Sequence, residues 1–198
     1  MCLGITYRIW KFFNLKSAKE YYFAFIYSRI TYGISVWGGG PLLASAYHGS
    51  IESIQDRIVG LLFFKYCNTP LPNVIYRNMG LLKIVDIYKY VICTIIYTCI
   101  NCGNVPFIYS NLCKLYFLHH YDTRHVDNLI IPYHRTNATK FNFLYRAVKE
   151  WNSLPSDLRK AKSLREFKIV LRKLFWIHMQ LRFSGCAYYF HNSIIIDL

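Results

Sequence analysis

Acidic residues are scarce in this sequence of 198 residues, which holds 10 Asp and Glu against 24 Lys and Arg. Two-metal catalysis needs several carboxylates that converge on metal ions about 4 Å apart. No two acids are adjacent, and Glu52 and Asp56, four residues apart with Arg57 beside them, fit a surface charge cluster better than a metal site. The sequence therefore predicts no catalytic residues, and we expect the chain to be inactive as an enzyme on its own.

Motifs for nucleotide binding and acyl transfer are missing as well. The glycines at 38–40 lack the Gly-Lys-Ser or Gly-Lys-Thr that completes a phosphate-binding loop. A Gly-x-Ser-x-Gly elbow, which positions the nucleophile of many hydrolases, is not found either. We therefore expect neither a cofactor nor a small-molecule substrate.

Long hydrophobic runs are also lacking, although 54% of the residues are hydrophobic. The uncharged run that most resembles a membrane span covers residues 90–101, whereas a spanning helix needs roughly 20 residues. Arg8 and Lys11 interrupt the apolar start, which has no small-residue cleavage site of the kind that ends a signal peptide.

The sequence contains seven cysteines, an odd number, and no export signal, which together favour reduced thiols. We expect no membrane partner and an intracellular location, in the nucleus or the cytoplasm.

One group of residues resembles a metal site. Cys99 and Cys102 form a Cys-x-x-Cys pair, and Cys113 and His119 follow it, so that these four side chains could complete a zinc tetrahedron. However, the pair ends an apolar segment that also contains Cys93, and buried free cysteines behave as small hydrophobic residues. We predict no metal ion here, with a small zinc module as the alternative.

Hydrophobic spacing predicts a mainly α fold, an irregular multi-helix domain with a loop-rich centre. Ser17 and Glu20 form a capping box before a predicted helix over 21–36, and Ser163 and Glu166 open another that reaches about residue 176. Further helices are predicted over 51–64, 86–100 and 141–151. The composition of 86–100 would also suit a buried strand.

Positive charge is concentrated near the C-terminus. Residues 135–182 hold 12 Lys and Arg against three acids, a net charge of +9 out of the chain's +14. In the last predicted helix, Leu164, Phe167, Leu171 and Leu174 form an apolar stripe, and its cations point elsewhere. Such a helix could pack by its stripe and present its cations to phosphates. The alternative is that these charges are the solvated face of a packed helix.

Four short motifs, in a fixed order, resemble one known family. They are Tyr27-Ser28 with Tyr32-Gly33 and Trp37-Gly38; Ile54-Gln55-Asp56-Arg57; His120-Tyr121-Asp122-Thr123-Arg124 with Pro132 and Arg135-Thr136; and Trp151-Asn152-Ser153-Leu154-Pro155 with Leu158-Arg159, Ser163 and Phe167-Lys168. The series is similar to the region that follows the palm in jockey-like, non-LTR (LINE-type) retrotransposon polyproteins. The resemblance spans about residues 3–175.

The resemblance implies the thumb-side or C-terminal lobe of a reverse transcriptase, an RNA-directed DNA polymerase. Family members carry an endonuclease and a reverse transcriptase before this region, so that the chain corresponds to a non-catalytic fragment beyond the Asp-Asp motif. The regions implied are a helical thumb-side or connection region at 1–115, a loop-rich linker at 116–140, a basic helical region at 141–177 and a divergent tail at 178–198.

The expected partner is the backbone of RNA or DNA, bound without sequence specificity, and the palm and fingers of a reverse transcriptase form a further candidate partner. The predicted nucleic-acid-binding residues are Arg124, Arg135, Lys140, Arg146, Lys149, Arg159, Lys160, Lys162, Arg165, Lys168, Arg172 and Lys173. For Arg124, an ion pair within the fold is an equal alternative. For the whole chain, the alternative is a structural scaffold that packs against the palm and has no partner of its own.

Overall fold

A computed structural model describes residues 2–38, 46–67, 72–101, 128–133, 135–136, 140 and 142–183. Within these ranges the chain is mainly helical and contains no strand, which confirms the predicted mainly α class. The helices are α1 (Cys2–Ile9), α2 (Leu15–Tyr21), α3 (Ser28–Thr31), α4 (Ile34–Trp37), α5 (Ala46–Cys67), α6 (Pro72–Met79), α7 (Ile84–Asn101), α8 (Phe143–Asn152), α9 (Ser156–Arg159) and α10 (Leu164–Phe183). A 3₁₀ turn, Trp10–Phe12, follows α1, and a π-helical segment, Tyr22–Tyr27, joins α2 to α3. Most of the predicted linker at 116–140 lies outside the described residues.

The predicted helix at 21–36 was wrong at both ends. Its first turn begins at Leu15, because Asn14 rather than Ser17 caps it, the Asn14 Oδ1 accepting from the Ser17 N–H at 2.8 Å. Asn is a strong N-cap residue, and its position three residues before Ser17 lets it satisfy this free N–H. The helical path then ends at Tyr32, since Gly33 takes a left-handed conformation with φ of 63° before the short α4 begins.

The second predicted capping box is present at the start of α10. The Ser163 Oγ accepts from the Glu166 N–H at 3.2 Å, while the Glu166 carboxylate accepts from the Lys162 N–H at 3.1 Å. Both bonds satisfy N–H groups at or just before the first turn. Helix α10 continues past residue 176 to Phe183, so the start of the predicted tail is helical. The remainder of that tail, 184–198, lies outside the described residues.

The segment predicted at 86–100 is the helix α7 rather than a strand. Within it, the Thr94 and Thr98 hydroxyls donate to the carbonyls of Tyr90 and Thr94, one turn earlier. Among the described residues, neither α7 nor any other helix has the length and apolar character required to cross a membrane. The predicted helices at 51–64 and 141–151 correspond to α5 and α8, with shifted ends.

Two hydrophobic cores organise the described residues. The larger core joins α4, α7, α8, α9 and α10, and at its centre the Tyr97 and Phe167 rings stack with their centroids 4.3 Å apart. The smaller core joins α2, the π-helical segment, α5 and α6 around buried residues such as Tyr22 and Phe63. Tyr27 packs against both cores. The two cores therefore meet along the π-helical segment.

Gln55 links the two cores by hydrogen bonds. Its side chain is 1% exposed, and its Nε2 donates to the Tyr22 Oη and to the Leu82 carbonyl, both at 3.0 Å. Its Oε1 accepts from the Ile84 N–H at 3.0 Å, which satisfies the first residue of α7. Gln55 therefore fixes where α7 begins relative to α5 and the π-helical segment.

Candidate nucleic-acid interface

The cations of α10 form one continuous surface. Arg165, Lys168 and Arg172 lie three and four residues apart and therefore share one side of the helix, and Lys173 adjoins them. Arg165, Arg172 and Lys173 are exposed, and Lys168 is half-buried. The opposite side carries Phe167 and Leu171, which are fully buried in the larger core. These four cations are called the basic face of α10 below.

Carboxylates do not neutralise the basic face in the part of the chain that the structure describes. The salt bridges there join Lys83 to Glu52 at 2.8 Å and Lys89 to Glu150 at 3.0 Å. Glu166, on α10 itself, is committed to the backbone N–H of Lys162. The basic face therefore presents positive charge to the solvent, as a phosphate-binding surface must.

Arg146, on α8, is turned toward the protein instead. It is half-buried, and its Nε donates to the Lys140 carbonyl at 3.3 Å. Burial raises the pKa of the Tyr88 hydroxyl, and the nearby Arg146 guanidinium opposes that rise. Lys149, on the same helix, is exposed. Of the two predicted α8 cations, Lys149 is therefore the one positioned to meet a ligand.

Arg159 also has a role within the fold. Its Nη1 donates to the Asn128 Oδ1 at 2.8 Å, which holds the segment 128–133 against the end of α9. Asn152 reinforces this contact, because its side chain bonds both the N–H and the carbonyl of Leu129 at 2.9 Å. The neighbouring predicted cations Lys160 and Lys162 are exposed.

The remaining predicted residues are placed as follows. Arg135 and Lys140 are exposed, on short described stretches before α8. Arg124 lies outside the described residues, as do Cys102, Cys113 and His119 of the alternative zinc site. Within the described ranges, no three His, Cys, Asp or Glu side chains come close enough to hold a metal ion. Burial raises the pKa of the Cys99 thiol.

A cavity of about 160 Å³ lies beside the basic face. Its lining is Tyr22, Phe23, Tyr27, Leu81, Leu82, Tyr90 and Arg172. The Arg172 guanidinium lies 5.7 Å from the Phe23 ring centroid, and its Nη2 donates to the Gly80 carbonyl at 3.5 Å. This space, called the Arg172 cavity below, combines one cation with four aromatic side chains.

Sequence reasoning missed the aromatic members of this cavity. The sequence predicted only that Tyr22, Phe23 and Tyr27 lie on a helix over 21–36 and Tyr90 on another over 86–100. Their convergence on Arg172 depends on packing between elements that are far apart in the sequence. The density of aromatic residues near the N-terminus was the available signal.

Several described residues of the resemblance motifs have structural roles. Trp37 donates its indole N–H to the Tyr32 carbonyl at 2.9 Å, and Gly38 lies so close to Tyr88 that a Cβ would be 2.6 Å from its ring. Trp151 is buried in the larger core, where its ring centroid lies 5.9 Å from that of Phe167. The third motif, at 120–124, lies outside the described residues.

Comparisons with known proteins identified no relative of this chain. No protein-family model matches the chain, and comparisons with curated proteins and with solved structures gave no match. The likeness to retrotransposon polyproteins therefore rests on the four sequence motifs.

Proposed function

We propose that the chain is a non-catalytic module of a retrotransposon reverse transcriptase that binds the phosphate backbone of RNA or DNA without sequence preference. The observation that carries this proposal is the basic face of α10, where Arg165, Arg172 and Lys173 are exposed and no salt bridge to a carboxylate is found within the described part of the chain. The four ordered motifs support the reverse-transcriptase origin. The scarcity of acids supports a binding role rather than a catalytic one.

The physical basis of such binding is counterion release. Each phosphate that a Lys or Arg neutralises frees condensed cations, so that log K falls against log salt with a slope of about −0.9 per contact on duplex DNA. A helix that presents a cation on each turn can contact successive phosphates of a strand. Because phosphates carry no sequence information, such contacts fix position rather than specificity.

The test is a salt series of RNA and duplex DNA binding, measured by fluorescence anisotropy. Replacement of Lys168, Arg172 and Lys173 together by Gln should weaken binding and flatten the salt slope by up to about three contacts. The matched control replaces Arg8, Lys11 and Lys16 by Gln, which removes the same positive charge from exposed side chains near the N-terminus. Binding that is absent, insensitive to salt or weakened equally by both triple variants would contradict the proposal.

A second candidate, a structural scaffold that packs against the palm, is favoured by apolar side chains near the N-terminus. Phe12, Tyr32 and Val36 are 86%, 85% and 81% exposed. A contiguous exposed apolar patch marks an interaction surface, and a lobe without its partner should self-associate through such a patch. Replacement of Phe12 and Val36 by Ser should then reduce light scattering of the purified chain without changing its salt-dependent nucleic-acid binding. Scattering that is low in both proteins would rule the scaffold surface out.

A further inference from the structure

The Arg172 cavity offers an anion site that is incompletely used within the fold. A guanidinium carries five N–H donors, and the contact from Arg172 Nη2 to the Gly80 carbonyl is long, at 3.5 Å. Neither Asp nor Glu lines the cavity, and in the described ranges the salt bridges involve other cations. Planar recognition of a phosphate by Arg uses two parallel N–H groups. Arg172 therefore retains donors for an anionic ligand.

The walls of the cavity suit an aromatic ring. Phe23 is 37% exposed, while the rings of Tyr22 and Tyr27 meet it edge-on with centroids 5.4 and 5.5 Å away. Base-to-aromatic stacking is the usual way in which proteins hold unpaired nucleotides. Tyrosine hydroxyls are neutral at physiological pH and do not repel an anion, and burial raises the pKa of the Tyr27 and Tyr90 hydroxyls further.

The size of the cavity suits a single ring. An apolar cavity of about 150 Å³ accepts one benzene molecule, and this one measures about 160 Å³. It is well below the roughly 300–1,000 Å³ of sites for drug-sized molecules. A six-membered pyrimidine matches this space more closely than the larger fused rings of a purine.

We propose that the Arg172 cavity receives one unpaired pyrimidine nucleotide of a nucleic-acid strand, with its ring against Phe23 and its phosphate on Arg172. The assignment rests on the proposed backbone binding and adds to it a preference for unpaired strands. Arg165 and Lys168 support a strand as the source of the nucleotide, since they continue along the same side of α10 from Arg172. They would contact the phosphates that follow the inserted nucleotide.

The first measurement compares three DNA oligonucleotides of equal length and charge. One contains only thymidine, one contains only deoxyadenosine, and one has abasic sugars in place of nucleosides. Anisotropy at fixed salt should show thymidine binding on the order of tenfold more tightly than the abasic strand, the effect of one stacked base. The adenosine strand should bind more weakly than thymidine, and a blunt duplex should resemble the abasic strand. Equal affinity for thymidine and abasic strands would overturn the cavity assignment while leaving salt-dependent backbone binding intact.

The second measurement uses variants of the cavity. Phe23→Leu should reduce the thymidine-to-abasic affinity ratio toward one with little change in salt slope, and Arg172→Lys, which keeps the charge and loses the planar fork, should also reduce it. Lys173→Gln is the matched control, since it should weaken binding to both strands and leave their ratio unchanged. A ratio unaffected by Phe23→Leu and by Arg172→Lys, in variants that unfold cooperatively, would overturn the assignment.

Further measurements distinguish a free nucleotide from a nucleotide within a strand as the ligand of the cavity. Uridine monophosphate should compete weakly with the thymidine strand, because it fills the cavity and lacks the phosphates that follow. Direct binding of uridine monophosphate to a protein that does not bind the strand would overturn the assignment to a strand. Loss of salt-dependent binding to strand and duplex alike would overturn the proposed function itself.

Discussion

At the scale of single residues, Gln55 makes three buried hydrogen bonds whose loss should destabilise the fold. Its side chain bonds Tyr22, Leu82 and Ile84 from a buried position. The variant Gln55→Leu keeps the volume and withdraws all three bonds, and a buried group left unpaired costs about 1–3 kcal/mol. We expect a loss of about 3 kcal/mol in the free energy of unfolding, measured in urea. Arg57→Gln, exposed on the same helix, should stay within about 0.5 kcal/mol of the parent.

Substitution of two glycines by Ala should change the free energy of unfolding in opposite directions. Gly33 has a φ of +63°, and a Cβ there would meet nothing closer than 3.6 Å, so that its substitution costs backbone strain alone. We expect Gly33→Ala to lower the free energy of unfolding by about 1–2 kcal/mol. Gly60 lies inside α5 with nothing within 4 Å of an added Cβ. Gly60→Ala should therefore raise the free energy of unfolding by about 0.5–1 kcal/mol. Thermal unfolding that shifts both variants in the same direction would contradict this account.

At the scale of elements, the start of α2 distinguishes the observed cap from the predicted one. Asn14 supplies the capping oxygen and Ser17 supplies the N–H, so the side chain of Ser17 is dispensable for the cap. We expect Asn14→Ala to destabilise the protein by about 1 kcal/mol, and Ser17→Ala to change its stability by less than half as much. Chemical denaturation of the pair measures the difference. A larger loss of stability for Ser17→Ala than for Asn14→Ala would show that Ser17 caps the helix, as the sequence predicted.

The existence of the long helices could be predicted from the sequence better than their ends, whereas the short helices α1, α6 and α9 were not predicted. The spacing of Phe167 and Leu171 predicted α10 with its buried side, and Ser163 with Glu166 predicted where it begins. The pattern at 21–36 failed because a capping Asn three residues before Ser17 and the left-handed Gly33 are local details that apolar spacing does not record.

The candidate site was predictable only in part, for a similar reason. Its cations follow from charge counting along the chain. The structure separates Arg146 and Arg159, which bond within the fold, from the basic face of α10. That separation and the Arg172 cavity depend on contacts between distant elements, for which the sequence of one chain gives no signal.

At the scale of the whole molecule, buried tyrosines set an alkaline limit on stability. Burial raises the pKa of Tyr22 from 10.0 to about 12, and it also raises those of Tyr27, Tyr88 and Tyr90. A raised folded-state pKa gives stability that is fully present below the unfolded value and is lost as pH rises through the folded value. For Tyr22 this window runs from pH 10.0 to about 12.

We therefore expect the free energy of unfolding to fall steeply across this window, with Tyr22 alone accounting for roughly 2–3 kcal/mol. Urea titrations at stepped pH, with tyrosinate absorbance followed in parallel, measure the effect. Tyr22→Phe should start from a lower stability, because Gln55 loses an acceptor, yet decline less steeply with pH. An equal slope in both proteins would contradict the assignment to Tyr22.

The π-helical segment has a consequence for how the chain tolerates changes in length. In an α-helix, residues five apart diverge by about 140°, yet Tyr22 and Tyr27 both line the cavity because the segment is wound more widely. It behaves as an α-helix with one inserted residue. Deletion of the exposed Ala24 would leave the two tyrosines four residues apart and on one side of a regular helix. We expect that deletion to fold cooperatively, whereas removal of Thr94 from the regular helix α7 would rotate its buried side away from the core and abolish cooperative unfolding.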